Sequence, residues 1–548
     1  MAPESDLPER PKEGNDAAPA GPSKSALKKA QKEKEKAEKA AKRAAEEAER
    51  KAAAAASDTS KHLYGFTVPD EKLGGAISLD SLDESHVDKT VTIIGRVYNS
   101  RVQSAKLAFI DLRQRLDNIQ VVIAERPTIS RQMVKFCGGL NREALVLIEA
   151  KVVKAPEPIK SATVQDLELQ LESCYIMAQA PEQLPLQIRD AQHAIPTDEA
   201  EGEGAAQVDA EGRPVVGMKT LLDNRTLSLR TPTNQAIFSI NSTIQHLYSD
   251  FMFQNGFTQI NTPKIAGAAT EGGADVFSVD YFKTPAFLTQ SPQFYKQMAI
   301  AADLGRVFEI GPVFRAENSN TARHLTEFTG LDFEMPISKS WTEVLDVAEA
   351  LVLYIFQGLN SSCKREMATI QTLYPHAGDF KIPSGPAPRI RFADGIKMLH
   401  EAGVTEASPD EDISTAHEKL LGKLVREKYG TDFYFLTHYP VAARPFYTRL
   451  DPEDPTLTLS YDAFMRAQEI VSGAQRVHVA EELKERMRSK GIDPSSEGFK
   501  HYVEAFELGC GPHGGGGFGL NRILMLWLGL PNIRQATLFP RDPQRKFP

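Results

Sequence analysis

The sequence has little cysteine and no long apolar run, and both absences restrict what the chain can be. Its four cysteines, Cys137, Cys174, Cys363 and Cys510, lack CxxC spacing, which is typical of reduced thiols in a cytosolic protein rather than of a disulfide framework or zinc site. No stretch approaches the roughly 20 apolar residues of a membrane span. The first residues, MAPESDLPERPKEG, also lack the cationic and then apolar pattern of a signal peptide. We therefore expect a cytoplasmic protein without a membrane association.

The length and the charge distribution indicate the number of domains and the kind of partner. A chain of 548 residues is too long for one ordinary core, which predicts two or three domains. The net charge of −9 hides a basic segment, because residues 24–51 contain eleven Lys or Arg against six Glu. A basic segment on an otherwise acidic protein predicts a polyanionic partner.

The basic segment lies within residues 23–56, which are almost all strong helix formers, whereas residues 1–22 have the composition of a disordered tail. At about 100° per residue, a series of lysines that begins with Lys24, Lys28 and Lys32 falls within one stripe roughly 120° wide. Two interpretations are compatible with this stripe. One is a solvated helical tail, and the other is a cationic ridge that follows nucleic-acid phosphates.

Residues 57–180 contain a pattern of five strands and one helix. The strand sequences are KTVTIIGRVYNSR, KLAFIDLRQR, NIQVVIA, ALVLIEAKVVK and VQDLELQLESCYIMA, and the helix, TISRQMVKFCGGL, follows the third strand. This order is that of a five-stranded OB-fold barrel, a frequent binder of single-stranded nucleic acid. Another small β-barrel or half of a β-sandwich would produce a similar pattern.

A polar connection at residues 181–232 precedes a large domain at residues 233–548. The middle of the connection, TDEAEGEGAAQVDAEGRP, predicts a flexible insertion. The large domain begins with an amphipathic helix, NQAIFSINSTIQHLYSDFMFQNGF, and a short strand, TQINTPKI. Near its C-terminus, EAFELGCGPHGGGGFGLNRILMLWLGL predicts a strand, a glycine-rich turn and an apolar helix whose first turn presents Arg522. These glycines match neither the GxxxxGK[ST] of a P-loop nor the parallel context of a Rossmann turn.

In the middle of the large domain, RVFEIGPVFRAE and LTEFTGLDFEMP are joined by the polar loop NSNTARH, which predicts an antiparallel hairpin. Period-two alternation places Phe328, Gly330, Asp332 and Glu334 on one face of its second strand. Such a face offers a flat stacking surface and a buried negative charge, with no side chain between them. The same pattern is also compatible with a β-hairpin whose charged residues only form ion pairs on the surface.

Taken together, these motifs resemble those of class II aminoacyl-tRNA synthetases. The hairpin resembles the second motif of that family and GGGGFGLNRILML its third, while Pro263 after the long helix resembles the first motif, at a dimer interface. TEGGADVF, LTQSPQFYKQ and EIVSGAQR are most similar to the aspartate-specific enzymes of eukaryotes. These enzymes belong to the aspartate, asparagine and lysine subgroup, which carries an N-terminal OB barrel. The resemblance extends from about residue 23 to residue 548.

The resemblance implies a multidomain α+β protein with a basic helical extension, an OB-fold barrel that binds the anticodon, and a catalytic domain built on an antiparallel sheet flanked by helices. It implies that a homodimer activates L-aspartate with ATP and Mg²⁺ and transfers aspartate to the 3′ end of tRNA(Asp). The implied reaction needs no protein nucleophile, because the α-carboxylate of aspartate already carries a charge and itself attacks the α-phosphate, and pyrophosphate leaves. Positioning, together with neutralisation of the developing charge by arginines and Mg²⁺, supplies most of the acceleration.

The resemblance also implies roles for individual residues. It assigns ATP binding to Arg315, Glu317, Arg323, His324, Phe328, Glu469, Gly519 and Arg522. It assigns catalysis to Arg315, Glu469 and Arg522. It assigns aspartate binding to Glu271, Gln293, Lys296, Asp332, Ser472 and Arg476. It assigns Mg²⁺ to Asp462, Glu469 and Ser472. It assigns tRNA contacts to Lys24, Lys28, Lys29, Lys32, Arg101, Phe109, Gln120 and Glu168.

Three alternatives remain open at the level of the sequence. Phe109, expected to stack on an anticodon base, could instead fill the barrel core. An enzyme of the same subgroup could activate asparagine or lysine, although an asparagine enzyme would lack Lys296 and a lysine enzyme would need acids in place of Lys296 and Arg476. A catalytically inactive tRNA-binding or scaffold protein could retain the fold, although it would not need Arg315, Glu469 and Arg522.

Overall fold

The computed structural model describes residues 58–195, 215–267 and 276–548, and most residues between 31 and 49. Those between 31 and 49, which include Lys32, are helical and exposed, whereas Lys24, Lys28 and Lys29 lie outside the described residues. The chain divides into two compact units. The first extends to Leu112 and resumes over Asn118–Ala180, and the second comprises Arg113–Asp117 and Pro181–Pro548.

The first unit is a closed five-stranded barrel. Its strands, with two short flanking ones, are β1 (Tyr64–Gly65), β2 (Ala76–Ile77), β3 (Thr90–Ser104), β4 (Leu107–Gln114), β5 (Asp117–Ala124), β6 (Leu145–Lys154) and β7 (Leu167–Ala178). Neighbours around the barrel are β3, β4, β5, β7 and β6, and β6 returns to pair with β3. The connection between β5 and β6 contains helix α1 (Arg131–Gly138), which Ser130 caps by accepting a hydrogen bond from the Met133 N–H. The predicted OB-like barrel is confirmed.

The second unit is built on an eight-stranded sheet with a separate sheet of three short strands. Its strands are β8 (Phe257–Gln259), β9 (Ile265–Ala266), β10 (Ser278–Tyr281), β11 (Thr284–Leu288), β12 (Arg306–Phe314), β13 (Glu327–Pro336), β14 (Arg389–Arg391), β15 (Phe433–Thr437), β16 (Ser460–Met465), β17 (Gln468–Gln475) and β18 (His513–Gly519). The order in the large sheet is β14-β15-β16-β17-β18-β13-β12-β8. The six central strands are antiparallel, and each edge strand is parallel to its neighbour. The predicted hairpin is β12 and β13.

Helices surround this sheet. They are α2 (Ile188–Ala191), α3 (Met218–Asp223), α4 (Arg225–Ser228), α5 (Pro232–Gln254), α6 (Gln293–Ala301), α7 (Thr342–Ser362), α8 (Lys364–Gln371), α9 (Phe392–Glu401), α10 (Thr415–Tyr429), α11 (Ala480–Ser489), α12 (Glu497–Glu507) and α13 (Leu520–Leu528). The largest apolar core packs α5, α7 and α13 against the sheet. None of the helices in the described ranges is long and apolar enough to span a bilayer.

Two predicted segments differ from the structure. The strand TQINTPKI is interrupted: β8 ends at Gln259, and Pro263 lies exposed in the loop before β9. Proline cannot donate to a strand ladder, which is a physical reason for the break. The predicted polar connection contains α2, α3 and α4, and buried Arg225 donates hydrogen bonds to the carbonyls of Thr537 and Leu538 at 2.8 and 2.7 Å. Its predicted flexible middle lies outside the described residues.

The glycine-rich stretch also differs from its prediction. Residues 504–507, predicted as a strand, end helix α12, and the glycines predicted as a turn form strand β18 between β13 and β17. The register pairs Gly517 with Asp332 and Gly515 with Glu334. A Cβ atom on Gly517 would lie 2.8 Å from Asp332 Oδ1, and one on Gly515 would clash with the Glu334 carboxylate. The glycines therefore leave room for two buried carboxylates, a need that strand propensity does not reveal.

Candidate active site

One cavity of the second unit brings together all eight residues predicted to bind ATP. Its lining includes Arg315, Glu317, Arg323, His324, Phe328, Glu469, Gly519 and Arg522. They come from the β12–β13 hairpin, from β17, from the end of β18 and from the first turn of α13. Asp332 lies in the same lining, so the predicted face of β13 does border a cavity.

The cavity concentrates positive charge around an aromatic ring. The Arg315 guanidinium lies over the Phe328 ring at 5.5 Å, and Arg522 Nη1 donates to the Glu469 carbonyl at 2.9 Å. Burial lowers the pKa of Arg522, and the nearby Arg315 and Arg323 lower it further against the opposing effect of Glu469. Mutual repulsion among three arginines makes the cavity a favourable site for a polyanion.

His324 stands beside these arginines on the loop of the hairpin. Its Nδ1 lies 2.6 Å from Thr321 Oγ1. Burial lowers its pKa against the opposing effect of Glu317, and the surrounding arginines lower it further. We therefore expect a neutral imidazole at pH 7, which can hydrogen-bond a nucleotide without adding charge.

A β-bulge aligns the three residues predicted to hold Mg²⁺. Asp462 on β16 pairs directly with Ser472 on β17, and after a register shift at Ala463/Phe464 the pairing continues between Phe464 and Glu469. Because the bulge inserts one extra residue in β17, Glu469 and Ser472 share a face although they are three residues apart. This bulge could not be predicted from the sequence.

Asp462 and Glu469 are accompanied by an arginine that we did not predict. Arg444 Nη2 forms an ion pair with Asp462 Oδ2 at 2.8 Å, and Arg444 Nη1 donates to Ser472 Oγ at 2.8 Å. Burial raises the pKa of Glu469, and Asp462 raises it further against nearby arginines. No set of three or more His, Cys, Asp or Glu side chains suited to a metal occurs among the described residues. No motif in AARPFYT pointed to Arg444.

Four residues form a buried charge network: Lys296, Asp332, Glu334 and Arg476. We call it the aspartate network after the ligand predicted for three of its members. Lys296 Nζ lies 2.9 Å from Asp332 Oδ1 and 3.6 Å from Glu334 Oε2. Arg476 Nε lies 2.9 Å from Glu334 Oε1. The predicted Lys296, Asp332 and Arg476 are thus brought together. Glu334, which the alternation placed on the same face, belongs to this network although it was not among the predicted site residues.

Burial and pairing act in opposite directions within this network. Burial raises the pKa of Asp332, and Lys296 only partly offsets this. Burial also opposes ionisation of Glu334, but Arg476 and Lys296 outweigh it and its pKa is lowered. Glu334 is therefore the firmly ionised member, held by two cations.

The remaining residues predicted to bind aspartate have different outcomes. Gln293, at the start of α6 and one turn from Lys296, is buried, and its Nε2 has no hydrogen-bond partner. A buried amide donor without a partner is costly, which favours a ligand there. Glu271 lies outside the described residues.

On the barrel, the predicted tRNA residues lie on the outer surface. Ala108, Ile110 and Leu112 of β4 are in the core, whereas the intervening Phe109 is not. The Arg101 guanidinium lies over the Phe109 ring at 4.9 Å. Gln120 Nε2 donates to Glu168 Oε2 at 3.3 Å. The alternative that Phe109 fills the core is wrong, and its anticodon role remains a prediction.

Comparisons with known proteins agree with this geometry. The family described as tRNA synthetases class II (D, K and N) matches residues 217–543. Human cytoplasmic aspartate–tRNA ligase is 46% identical over 501 residues, which cover 90% of this chain and 96% of the human protein. The structure of aspartyl tRNA synthetase from Entamoeba histolytica is 39% identical with a TM-score of 0.78 and covers 89% of this chain and 96% of that chain.

A structure with a different amino-acid specificity is also similar. Asparaginyl-tRNA synthetase from Pyrococcus horikoshii, complexed with asparaginyl-adenylate, is 27% identical with a TM-score of 0.72. The match covers 86% of this chain and 99% of that chain. The fold is therefore common to enzymes for two amino acids, and the choice between them depends on the site.

Proposed function

Because the chain belongs to the class II tRNA synthetases of the aspartate, lysine and asparagine group, we propose that it is a cytoplasmic aspartate–tRNA ligase. It activates L-aspartate with ATP to aspartyl-adenylate and pyrophosphate, and then transfers aspartate to the 3′ end of tRNA(Asp). The aspartate–tRNA ligases named above are similar over most of the chain. The observation that carries the amino-acid assignment is the pair of cations, Lys296 and Arg476, in the aspartate network.

Lys296 and Arg476 suit a substrate whose side chain ends in a carboxylate. Both are almost fully buried, and both are held in place by carboxylates of β13. Aspartate would present two charged oxygens to these cations. Asparagine would turn an amide N–H₂ group toward them, which leaves a buried cation without an acceptor and costs about 1–3 kcal/mol or more. Lysine would add a third cation.

The cavity supports the nucleotide half of the reaction. The α-carboxylate of aspartate attacks the α-phosphorus of ATP, and pyrophosphate leaves. Arg315 binds the α-phosphate, Phe328 stacks on adenine, and Arg522 lies on the other side of the base. Arg323 and His324 contact the outer phosphates. Fixed positive charge that meets the developing negative charge is the main source of acceleration, since no protein group becomes covalently attached.

Mg²⁺ would be held by Asp462, Glu469 and the Ser472 hydroxyl, together with phosphate oxygens. These groups fit the ion because all are hard oxygen donors, and a magnesium site commonly combines one or two carboxylates with substrate phosphates. Asp462 Oδ1 is buried and has no hydrogen-bond partner, which leaves a lone pair available. When bound, Mg²⁺ supplies neutralisation of phosphate charge.

Pyrophosphate exchange tests the assignment directly. We expect exchange of labelled pyrophosphate into ATP that depends on aspartate, with kcat/KM at least 100-fold above that with asparagine or lysine. Arg522→Gln should abolish it. A preference for asparagine or lysine would contradict the amino-acid assignment, and no exchange with any of the three would indicate the inactive tRNA-binding protein instead.

We further propose that tRNA(Asp) contacts the Arg101, Phe109, Gln120 and Glu168 face of the barrel and the lysine-rich extension. Phe109→Ala should weaken tRNA binding by roughly 5- to 150-fold, because loss of one stacked base costs about 1–3 kcal/mol. Phe66→Ala, at an exposed aromatic ring elsewhere on the barrel unit, is the matched control. Equal losses for the two variants would argue against a stacking role for Phe109.

The proposed assembly is a homodimer with exposed Pro263 and helix α5 near the two-fold axis. Light scattering at micromolar concentration should give twice the chain mass of 60.4 kDa. Particles of the single-chain mass across that concentration range would contradict this part of the proposal.

A further inference from the structure

Arg444 is a charged side chain that contacts the proposed metal residues Asp462 and Ser472 and has no assigned role. It follows the short 3-10 helix Val441–Ala443, and only 9% of its side chain is exposed. Its guanidinium carbon lies 3.8 Å from the centre of the Tyr439 ring, which fixes the plane of the group. Its Nε has no hydrogen-bond partner. A buried, stacked guanidinium is a built feature of this site and not a surface charge.

Arg444 contacts the same oxygens that would bind the metal. One end of its guanidinium meets Asp462 Oδ2 and the other donates to Ser472 Oγ, each at 2.8 Å. A cation that approached Ser472 and both oxygens of Asp462 would have to displace it. Two of the proposed ligand atoms, Asp462 Oδ2 and Ser472 Oγ, are therefore engaged by a positive charge in this structure.

The charge balance leads to the same conclusion. The two carboxylates, Asp462 and Glu469, lie near three guanidiniums, those of Arg444, Arg522 and Arg315. A divalent cation added to this set would increase its excess of positive charge in a poorly solvated place, which is unfavourable. The triphosphate of ATP supplies the missing negative charge and its own oxygen ligands.

We infer that Arg444 is the resident counter-charge of the metal-binding carboxylates and that it makes divalent-cation binding depend on nucleotide. Arg444 holds Asp462 and Ser472 in place while the cavity is empty. It prevents a metal ion from occupying the site alone. It is displaced from Asp462 and Ser472 when the ion binds together with phosphates. The inference rests on the proposed function, because it takes ATP as the nucleotide.

Binding of Mn²⁺, followed by the electron paramagnetic resonance signal of the free ion, tests this inference. The wild-type protein without nucleotide should bind Mn²⁺ at least tenfold more weakly than with ATP in the absence of aspartate. Arg444→Gln should bind it at least tenfold more tightly than wild type without nucleotide, since Asp462 is then uncompensated. Arg444→Lys, which keeps the charge, should resemble wild type, and Arg444→Gln/Asp462→Asn should lose the gain.

Two results would overturn the inference: unchanged or weaker Mn²⁺ binding by Arg444→Gln without nucleotide, or a gain that persists in the double variant. If Arg444→Gln does not fold, the Mn²⁺ affinity of Asp462→Asn tests the inference instead. Its nucleotide-free Mn²⁺ affinity should stay within threefold of wild type, because Asp462 is already neutralised, and a tenfold loss would show that Asp462 is a free ligand. Failure of the proposed function would be seen separately, as absence of aspartate-dependent pyrophosphate exchange.

Discussion

The two halves of the site differ in how their charges are arranged before any substrate binds. In the nucleotide half, Arg315, Arg323 and Arg522 line an open cavity, and burial together with the other two arginines lowers the pKa of Arg522. In the aspartate network, each cation already has a carboxylate partner at 2.9 Å and almost no solvent exposure. We therefore expect the first half to attract a large anion by excess charge and the second to select a small ligand by fixed geometry.

This difference has an energetic reason. A triphosphate has enough charge to bind wherever several arginines converge, so the nucleotide half can tolerate exposed and adjustable side chains. Aspartate differs from asparagine by one charged oxygen, and charge alone in a solvated pocket discriminates weakly. Burial makes an unpaired polar group costly, so a buried network converts one wrong atom into a large penalty. If the two halves bind their ligands separately, a substitution in one half should leave the ligand affinity of the other unchanged.

Lys296→Met should have the largest effect. It removes the ammonium between Asp332 and Glu334 and should lower kcat/KM for aspartate in pyrophosphate exchange by at least 100-fold, about 2.7 kcal/mol. Affinity for ATP should change little. Because a buried carboxylate loses its partner, we also expect a lower melting temperature, in line with a cost of about 3–5 kcal/mol.

Lys264→Met is the matched control, because Lys264 pairs with buried Glu309 at 2.7 Å on the neighbouring strand β12. It should destabilise the protein without the loss of aspartate activation. Normal exchange by Lys296→Met, or an equal loss in both variants, would remove the distinction between the two halves.

Phe328→Ala should affect the other half. Loss of the stacking surface should raise the KM for ATP by roughly 5- to 150-fold, corresponding to about 1–3 kcal/mol per stacked base. The KM for aspartate should stay within about threefold, as the aspartate network is intact. Phe328→Tyr keeps the ring and should retain ATP affinity. An aspartate KM that rises as much as the ATP KM would show that the halves do not act separately.

Deletion of residues 1–56 should leave both halves intact. Loss of a lysine-rich segment should weaken tRNA binding about tenfold at low salt and flatten its dependence on salt concentration, since fewer counterions are released. Aspartate-dependent pyrophosphate exchange should remain at the wild-type rate. A variant of full length with glutamine in place of the lysines should behave like the deletion. Reduced exchange in either variant would assign this segment to the chemistry instead.

The smallest effect concerns pH and Glu418 on α10. Burial and the nearby Glu469 raise the pKa of Glu418 to about 7 from 4.5. A raised carboxyl pKa means that the folded state binds the proton more tightly, so this group contributes stability below pH 4.5 that is lost as pH rises through 7. Glu418→Gln should therefore gain melting temperature relative to wild type at pH 8 but not at pH 4.5. Glu427→Gln, at an exposed position on the same helix, should show no such trend.

Much of the fold could be predicted from local sequence patterns. Alternation located the five barrel strands and both strands of the hairpin, because one face of each strand is buried and side chains alternate with period two. The long helix was predicted at residues 233–256 and observed as Pro232–Gln254, with Thr231 and Pro232 as ordinary start signals. All eight predicted ATP residues were located by motifs, whose meaning came from the family resemblance and not from the periodicity.

Three features could be found only in the tertiary structure. The glycine run was wrongly predicted as a turn. Its glycines are explained by the space that Asp332 and Glu334 require on the adjacent strand, and the sequence does not show which strand is adjacent. Glu469 reaches the face of Asp462 through a bulge, which depends on the pairing of two strands. Arg444 gained significance only through the carboxylate that it neutralises.

The sequence by itself thus determined the order of the barrel strands, the hairpin and the class of the fold, since these depend on propensity and periodicity, and its short motifs located the predicted ATP residues through the family resemblance. The tertiary structure decided which charges are paired and which are in excess. A charged side chain has the same letter whether it is solvated or buried, and its energy depends on the groups within a few ångströms. The partners Lys296–Asp332, Arg476–Glu334 and Arg444–Asp462 are separated by 36, 142 and 18 residues respectively, so only folding could bring them together.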